Sequence, residues 1–117
     1  MKTITKYIDS LKLNIDYIVG GNAQENHDII DEASEEDLWF HISNQSSCHV
    51  ICKMPVNENI DKKGLQKIII QGAVICKAHS RYKSQKNIGI TYTKVLHVKK
   101  LDKPGLVSIM NEKTIIM

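Results

Sequence analysis

The segment from Asp37 to Lys53, DLWFHISNQSSCHVICK, limits what this 117-residue chain can fold into more than any other part of it. It holds the only tryptophan and the only phenylalanine, together with two of the five histidines. Both ends of the segment alternate with the two-residue period of a β-strand, which predicts two strands with distinct faces. One face is apolar and is assigned to the core: Leu38, Phe40, Ile42, Cys48, Val50 and Cys52. The other is mixed and has the character of a site: Asp37, Trp39, His41, His49, Ile51 and Lys53.

The connector between these two strands, Ser43 to Ser47, is short and polar. A short reversal makes the strands antiparallel neighbours, and residues opposite one another on such strands have Cβ atoms about 4.5–5.5 Å apart. The imidazoles of His41 and His49 and the indole of Trp39 are therefore predicted to lie on one small patch.

The amino-terminal part of the chain predicts a hairpin followed by a helix. Strands at 3–8 and 15–19 are joined by a turn around Ser10 to Asn14. Asn22, followed three residues later by Glu25, is the pattern of a helix N-cap. The helix that begins there is expected to run to about Ala33.

A second helix is predicted from about Lys62 to Ala78, and the small residues Gly72, Ala73 and Ala78 are expected to let it approach the sheet closely. Four strands follow it, at 88–94, 96–99, 106–110 and 114–117, the last two joined by a turn at 111–112. The fold class is α+β: a single domain over residues 1–117, with a mainly antiparallel sheet and two helices.

Composition supports an ordinary globular domain, with 42% hydrophobic and 25% charged residues. The amino terminus lacks an apolar signal region, and the longest apolar run, around 68–78, is interrupted by Gln71, Gly72 and Lys77. Three cysteines without a C-x-x-C pattern fit a reducing compartment. These features predict a cytoplasmic chain with no membrane partner.

Charge is distributed unevenly along the sequence. Residues 22–60 hold eight acidic side chains and one lysine, whereas residues 61–103 hold eleven basic and two acidic side chains. Such a chain could turn a basic surface toward a polyanion and keep an acidic surface in solvent. The alternative is that each charged run is simply solvated surface.

Catalytic and metal-binding patterns are weak. A zinc site built from the three cysteines and His49 lacks the usual ligand spacing. Cys48 and His49 are adjacent on a strand and point to opposite faces, so they do not form a nucleophile and its base. Asp37 could orient His41 as a general base, with a structural hydrogen-bonded pair as the alternative. No enzyme activity, metal or cofactor is expected.

The turn Gly20-Gly21-Asn22 at the start of the first helix could bind phosphate through backbone N–H groups. Carboxylates nearby in that helix would repel the phosphate: Glu25, Asp28, Asp31 and Glu32. A plain strand-to-helix turn is therefore favoured.

Several of these motifs resemble the RNA-binding domain at the carboxyl end of the NFACT proteins, a family that includes ribosome-associated quality-control and fibronectin-binding-protein-like members. The matching motifs, in the family's order and spacing, are YIVGGNAQEN at 17–26, DLWFH at 37–41, HVI at 49–51, AHS at 78–80, ITYT at 90–93 and VKKLDKPGLV at 98–107. Gly21 stands where a basic residue is common, and His27 where an aspartate is usual. Ser46-Ser47-Cys48 resembles the free-standing form of the domain, without the amino-terminal domain and coiled coils of the larger proteins.

The resemblance implies a non-catalytic module that binds transfer RNA or ribosomal RNA in translation or ribosome quality control, with DNA and the ribosome as further candidate partners. Two alternatives remain open. One is a protein-interaction module that docks on ribosomal proteins through its acidic half. The other is a small hydrolase that uses Asp37, His41 and His49. The oligomeric state is not indicated by the sequence.

Candidate RNA contacts follow from side-chain chemistry. Trp39 and Tyr92 are candidates for stacking on unpaired bases, and His41 and His49 for hydrogen bonds to phosphates or base edges. Basic side chains would neutralise the RNA backbone: Lys53, Arg81, Lys83, Lys86, Lys94, Lys99 and Lys100. Asp37 completes the predicted site, and the supporting motif is Gly20, Asn22 and Asn26. The alternatives are a core indole, buried structural histidines, and solvated charge at 81–86.

Overall fold

Eight strands and two helices build the fold in the computed structural model, which describes all residues 1–117. In chain order they are β1 (Lys2–Ile8), β2 (Leu13–Val19), α1 (Ala23–Asp31), β3 (Leu38–Ile42), β4 (Val50–Cys52), α2 (Lys62–Ala78), β5 (Gly89–Lys94), β6 (Val98–Lys100), β7 (Val107–Ile109) and β8 (Lys113–Ile116). A short 3-10 turn, Val95–His97, joins β5 to β6.

Six strands form one sheet in the order β1-β2-β4-β3-β5-β8, and each pair of neighbours is antiparallel. The strands β6 and β7 pair only with each other, as a separate antiparallel hairpin. The predicted α+β domain with a mainly antiparallel sheet and two helices is confirmed.

Helix α2 covers one face of the sheet, where the apolar residues of the strand alternation meet it. Phe40 is fully buried there, and the phenol of Tyr17 donates to the carbonyl of Ile68 at 2.7 Å. The contact of α2 with Phe40 requires a glycine at position 72, because a Cβ on Gly72 would lie 2.3 Å from Cζ of Phe40. Ala78, also predicted to allow close approach, is instead exposed at the end of the helix.

Helix α1 and the β6–β7 hairpin cover the opposite face. A second apolar cluster is buried there: Ile29, Ile30, Trp39, Ile51 and Val95. The helix begins as predicted, with the Asn22 side chain accepting from the Glu25 N–H at 2.9 Å. The sheet is therefore buried on both sides, and its mixed face is not an open surface.

The carboxyl-terminal strands differ from the prediction in two respects. The strand β6 begins at Val98 rather than Leu96, because the backbone N–H groups of Val95 and Leu96 donate instead to the carbonyls of Asp37 and Glu35. The turn at residues 111–112 does separate β7 from β8, but the two strands belong to different sheets. Neither helix is long and apolar enough to cross a lipid bilayer.

Candidate functional site

A cleft of about 780 Å³ opens at one end of the sheet. Its walls are the turn before α1, the connector between β3 and β4, and the turn of the β6–β7 hairpin. Trp39, His41 and His49 lie at its base, so the structure brings together the three rings that the strand alternation placed on one face. This volume is within the range of about 300–1,000 Å³ that small-molecule sites occupy.

The three rings form one packed group. The His41 ring lies parallel to the Trp39 indole, with ring centroids 5.5 Å apart and an angle of 6° between the planes. The His49 ring stands perpendicular to both of the others, with centroids 5.1 Å from His41 and 5.2 Å from Trp39. The indole N–H donates to Nδ1 of His49 at 3.1 Å. Because Nδ1 accepts, the proton of the neutral His49 ring is on Nε2.

His49 is an internal link and not an exposed contact, since only 1% of it is accessible. Its backbone N–H donates to Oδ1 of Asn26 at 2.9 Å, and its carbonyl accepts from the Gly20 N–H at 3.0 Å. A Cβ on Gly20 would lie 2.2 Å from the same Asn26 oxygen. Gly20 and Asn26 therefore hold β4 against the start of α1.

Burial keeps the two histidines at the base of the cleft neutral. It lowers the pKa of His49 from 6.5 to about 3, helped by the nearby imidazoles of His41 and His27. Burial also lowers the pKa of His41. A neutral imidazole offers one donor and one acceptor, so neither ring brings a positive charge for a phosphate near pH 7.

His41 is the ring of this group that a ligand can reach, because it is only partly buried. Apart from an interaction with the backbone of Ile42, its ring nitrogens have no partner in the fold. Trp39 is 2% exposed, with the hairpin packed over its cluster. The indole thus has no open face for a nucleobase, and it supports His41 instead.

Asp37 does not lie in the cleft. Its carboxylate is 3% exposed and accepts from the backbone N–H groups of Ser34 and Met54, each at 2.9 Å, and Lys53 binds it at 2.8 Å. Asp37 and Lys53 therefore tie together the loops at the other end of β3 and β4. Because Asp37 is occupied in this way and does not orient His41, the Asp-His pair required by the hydrolase alternative is not formed.

Tyr92 and Lys94 lie on the other side of the sheet from His41. Tyr92 is opposite Phe40 in the β3–β5 register, and its ring stacks on Phe40 with centroids 5.9 Å apart. Lys94 pairs with Glu36 at 2.8 Å. The register places Tyr92 on the opposite face from Trp39 and outside the cleft, so its stacking on an unpaired base stays a prediction that is separate from the cleft.

The remaining predicted basic residues divide into two groups. Lys100 on β6 is bound to Asp31 of α1 at 2.6 Å, so its charge is already paired. The second group is exposed and takes part in none of the four ion pairs of the fold: Lys99 and the loop residues Arg81, Lys83 and Lys86.

The loop from Arg81 to Lys86 adjoins the rim of the cleft. Tyr82 donates its hydroxyl proton to Oε1 of Gln45 at 2.9 Å, which joins this loop to the β3–β4 connector. His79, at the end of α2, also lines the cleft. His79 and Gly105 belong to two of the motifs above, but no local pattern placed them or Gln45 in the site, because the elements that carry them meet only in the folded chain.

The turn before α1 is not a phosphate cradle. The Gly21 N–H donates to Oε1 of Glu25 at 2.8 Å, and the terminal ammonium of Met1 binds the same oxygen at 2.6 Å. Asn22 is occupied as the helix cap. The supporting motif is Gly20, Asn22 and Asn26, and all three residues line the cleft. Their hydrogen bonds stabilise the fold.

A sheet covered on both faces, with a cleft at one end and an exposed basic loop on its rim, defines a small α+β domain with a candidate binding site. Residues 7–111 match the model of the NFACT protein RNA binding domain. The chain belongs to that family.

The relatives extend beyond this domain. The chain is 34% identical over 83 residues to coiled-coil domain-containing protein 25 of Danio rerio, across 70% of this chain and 40% of that protein. It is 26% identical over 103 residues to the Rqc2 homolog RqcH of Bacillus subtilis (strain 168), across 86% of this chain and 17% of that protein. The C-terminal part of the fibronectin/fibrinogen-binding protein from Streptococcus suis shares the fold, with a TM-score of 0.74 and 19% identity, across 87% of this chain and 40% of the other. The chain thus spans less than half the length of these relatives.

Proposed function

We propose that this chain is a non-catalytic module that binds transfer RNA or ribosomal RNA in translation or ribosome quality control. Membership of a family described as an RNA binding domain supports binding of RNA as a class. The ribosome setting, and with it a cytoplasmic location, rests on the similarity to the Rqc2 homolog RqcH. The observation that carries the proposal is the cleft with His41 at its base and an unpaired basic loop on its rim.

The basic loop would contact the RNA backbone. Arg81, Lys83 and Lys86 are exposed and unpaired, whereas Lys53, Lys94 and Lys100 each have a carboxylate partner. A cation that is already paired must give up that partner before it neutralises a phosphate. The loop therefore supplies three unpaired cations beside the cleft, and Lys99 is a further exposed cation on the β6–β7 hairpin.

An electrophoretic mobility shift with transfer RNA, a ribosomal RNA fragment and DNA of equal length tests the proposal. If about four phosphates are neutralised, log affinity should fall with log salt at a slope of roughly −3 for single strands. Binding to neither RNA at low salt would remove RNA as the ligand. Equal binding to DNA would show that the chain recognises only the charge of the nucleic-acid backbone and does not distinguish RNA from DNA.

Charge reversal tests which surface binds. Changing Arg81, Lys83 and Lys86 together to glutamate should weaken every RNA and make the salt slope shallower, because three phosphate contacts are lost. The matched control changes Glu32, Glu35 and Glu36 to lysine and should not weaken binding. An unchanged affinity in the first triple variant would contradict the assignment of this loop.

The protein-docking alternative is less well supported, because several acidic residues are engaged within the fold. Asp31 binds Lys100, Glu36 binds Lys94, and Asp37 binds Lys53. Pull-down of a basic ribosomal protein that is lost in the Glu32, Glu35 and Glu36 variant, with no RNA shift in the parent, would favour docking instead.

A further inference from the structure

We propose that the cleft receives one unpaired nucleobase of the bound RNA, and that the phosphates on either side of it stay on the rim. The inference rests on the proposed RNA binding and adds what the cleft itself recognises. Of the twenty residues that form the walls of the cleft, none is Lys, Arg, Asp or Glu.

A neutral lining disfavours a phosphate as the occupant. A phosphate carries a full negative charge, and removing it from water without a cation costs several kcal/mol or more. The two histidines at the base supply no such cation, because burial lowers the pKa of His41 and of His49 and holds both rings neutral. The third histidine of the lining, His79, lies exposed at the end of α2, where its Nδ1 donates to the carbonyl of Ile75 at 2.9 Å. A nucleobase is uncharged, so it enters such a cleft without this penalty.

The polar groups in the cleft match the edge of a base. Ser43 and Ser47 of the connector are engaged within the fold, through Thr91 and through the Ile42 N–H. Between them Asn44 and Ser46 remain exposed and face the same cavity. Together with the His41 ring they offer donors and acceptors side by side, as base edges require, whereas a phosphate accepts only.

The opposite wall supplies apolar contact. Leu106, Val107 and Ile109 of the hairpin line the cleft across from the connector. Bases recognised in single-stranded RNA are held by their hydrogen-bonding edges and by packing on their flat faces. A cleft that is polar on one wall and apolar on the other provides both kinds of contact.

The charged groups lie where the flanking phosphates would be. The loop from Arg81 to Lys86 is joined to one rim through Tyr82 and Gln45. On the other rim, the exposed Lys103 directly precedes Pro104, which lines the cleft. A base inserted between these two segments would leave its own backbone beside cations on both sides. A paired base cannot enter without leaving its stack, so looped or single-stranded RNA is the expected ligand.

The chain's only tryptophan reports on the cleft directly, because Trp39 carries His41 at its base. The indole fluorescence and the indole N–H resonance of the whole chain are followed during titration with adenosine, guanosine, cytidine and uridine. Ribose 5-phosphate and inorganic phosphate serve as probes without a base. We expect at least one nucleoside to change both signals, with a response that persists at 0.5 M salt, roughly five times the ionic strength at which the Debye length is about 10 Å. Ribose 5-phosphate or phosphate producing the same change as the nucleosides would overturn the proposal.

Single-stranded RNA with one abasic ribose, moved stepwise along the sequence, gives a second readout. Loss of one stacked and hydrogen-bonded base should weaken binding roughly 5- to 150-fold at one position. If every abasic RNA bound with the same affinity as the parent RNA, the proposal would also be overturned. Complete absence of RNA binding would instead contradict the proposed function, so the two failures are distinguishable.

Two variants separate the cleft from its rim. His41→Ala should abolish the nucleoside response. Asn44→Gly should weaken it and leave the fold intact, because Asn44 is exposed and glycine suits its backbone φ of 58°. The Arg81, Lys83 and Lys86 charge reversal should weaken RNA binding but keep the nucleoside response. Lys63→Gln, at an exposed position of α2 across the sheet from the cleft, is the matched control and should change neither. A nucleoside response that survives both His41→Ala and Asn44→Gly in folded protein would place the base elsewhere.

Discussion

Trp39 is the residue on which the cleft is built, although the indole itself is almost completely buried. Its flat face carries His41, and its N–H fixes the tautomer of His49. The pairing has a physical reason, since a buried indole N–H needs an acceptor and Nδ1 of a neutral imidazole provides one. Trp39 thus acts on a ligand through the orientation of the two histidines.

Trp39→Ala should lower the free energy of unfolding by about 3–5 kcal/mol, because it leaves a large cavity between α1, the hairpin and the sheet. Trp39→Phe should cost less, roughly 1–3 kcal/mol, since the ring bulk remains but His49 loses its donor. Urea denaturation followed by circular dichroism measures both. An alanine variant that unfolds at the same urea concentration as the parent would contradict the buried position of the indole.

At the scale of secondary-structure elements, the contact of α2 with the sheet depends on Gly72. Alanine favours a helix over glycine by about 1 kcal/mol. Here the added methyl would overlap Phe40, which is buried and stacked against Tyr92, and such overpacking typically costs about 1–3 kcal/mol. The clash therefore exceeds the gain in helix propensity.

Gly72→Ala should accordingly destabilise the fold by up to roughly 2 kcal/mol in chemical denaturation. Gly64→Ala is the matched control on the same helix, because the nearest atom there is Cδ2 of the flexible, partly exposed Leu11 side chain. The control should be close to neutral. If both alanines stabilised the chain equally, the tight packing of α2 on Phe40 would be wrong.

The elements themselves were largely predictable, because their signals are local. The Asn22 cap, the alternation around Trp39 and the limits of α2 are all read from neighbouring residues. The elements that pack on each face of the sheet were not predictable. Trp39 is buried by a hairpin about sixty residues further along the chain, and Tyr92 is placed by its register against β3. Such pairings depend on long-range packing that no local pattern specifies.

For the whole molecule, the basic half of the sequence does not become one basic surface. Lys62, Lys63 and Lys67 are exposed on α2, across the sheet from the cleft. Other lysines of that half are paired with carboxylates of the acidic half, as Lys100 is with Asp31. The fold therefore leaves far fewer cations beside the cleft than the sequence count suggests, which is why a shallow salt dependence is expected.

Burial of the histidines also sets how the whole fold responds to acid. The pKa of His49 is about 3 in the folded chain and 6.5 in its ordinary state. Below pH 6.5 the unfolded chain binds a proton on His49 that the folded chain does not bind. The contribution of His49 to the free energy of unfolding is therefore fully present above this pH and is lost as pH falls toward 3. The lowered pKa of His41 acts in the same direction.

The free energy of unfolding should therefore fall by about 1–2 kcal/mol between pH 7.5 and pH 5.5, a window that lies above the titration of ordinary carboxylates. Urea denaturation at several pH values measures this slope at constant ionic strength. His49→Gln removes the titrating ring and should flatten the slope, whatever its effect on stability at pH 7.5. His97→Gln, which changes a histidine outside the cleft, is the control and should retain it. A parent protein equally stable at both pH values would show that His49 accepts a proton within the fold, and that the cleft becomes charged in mild acid.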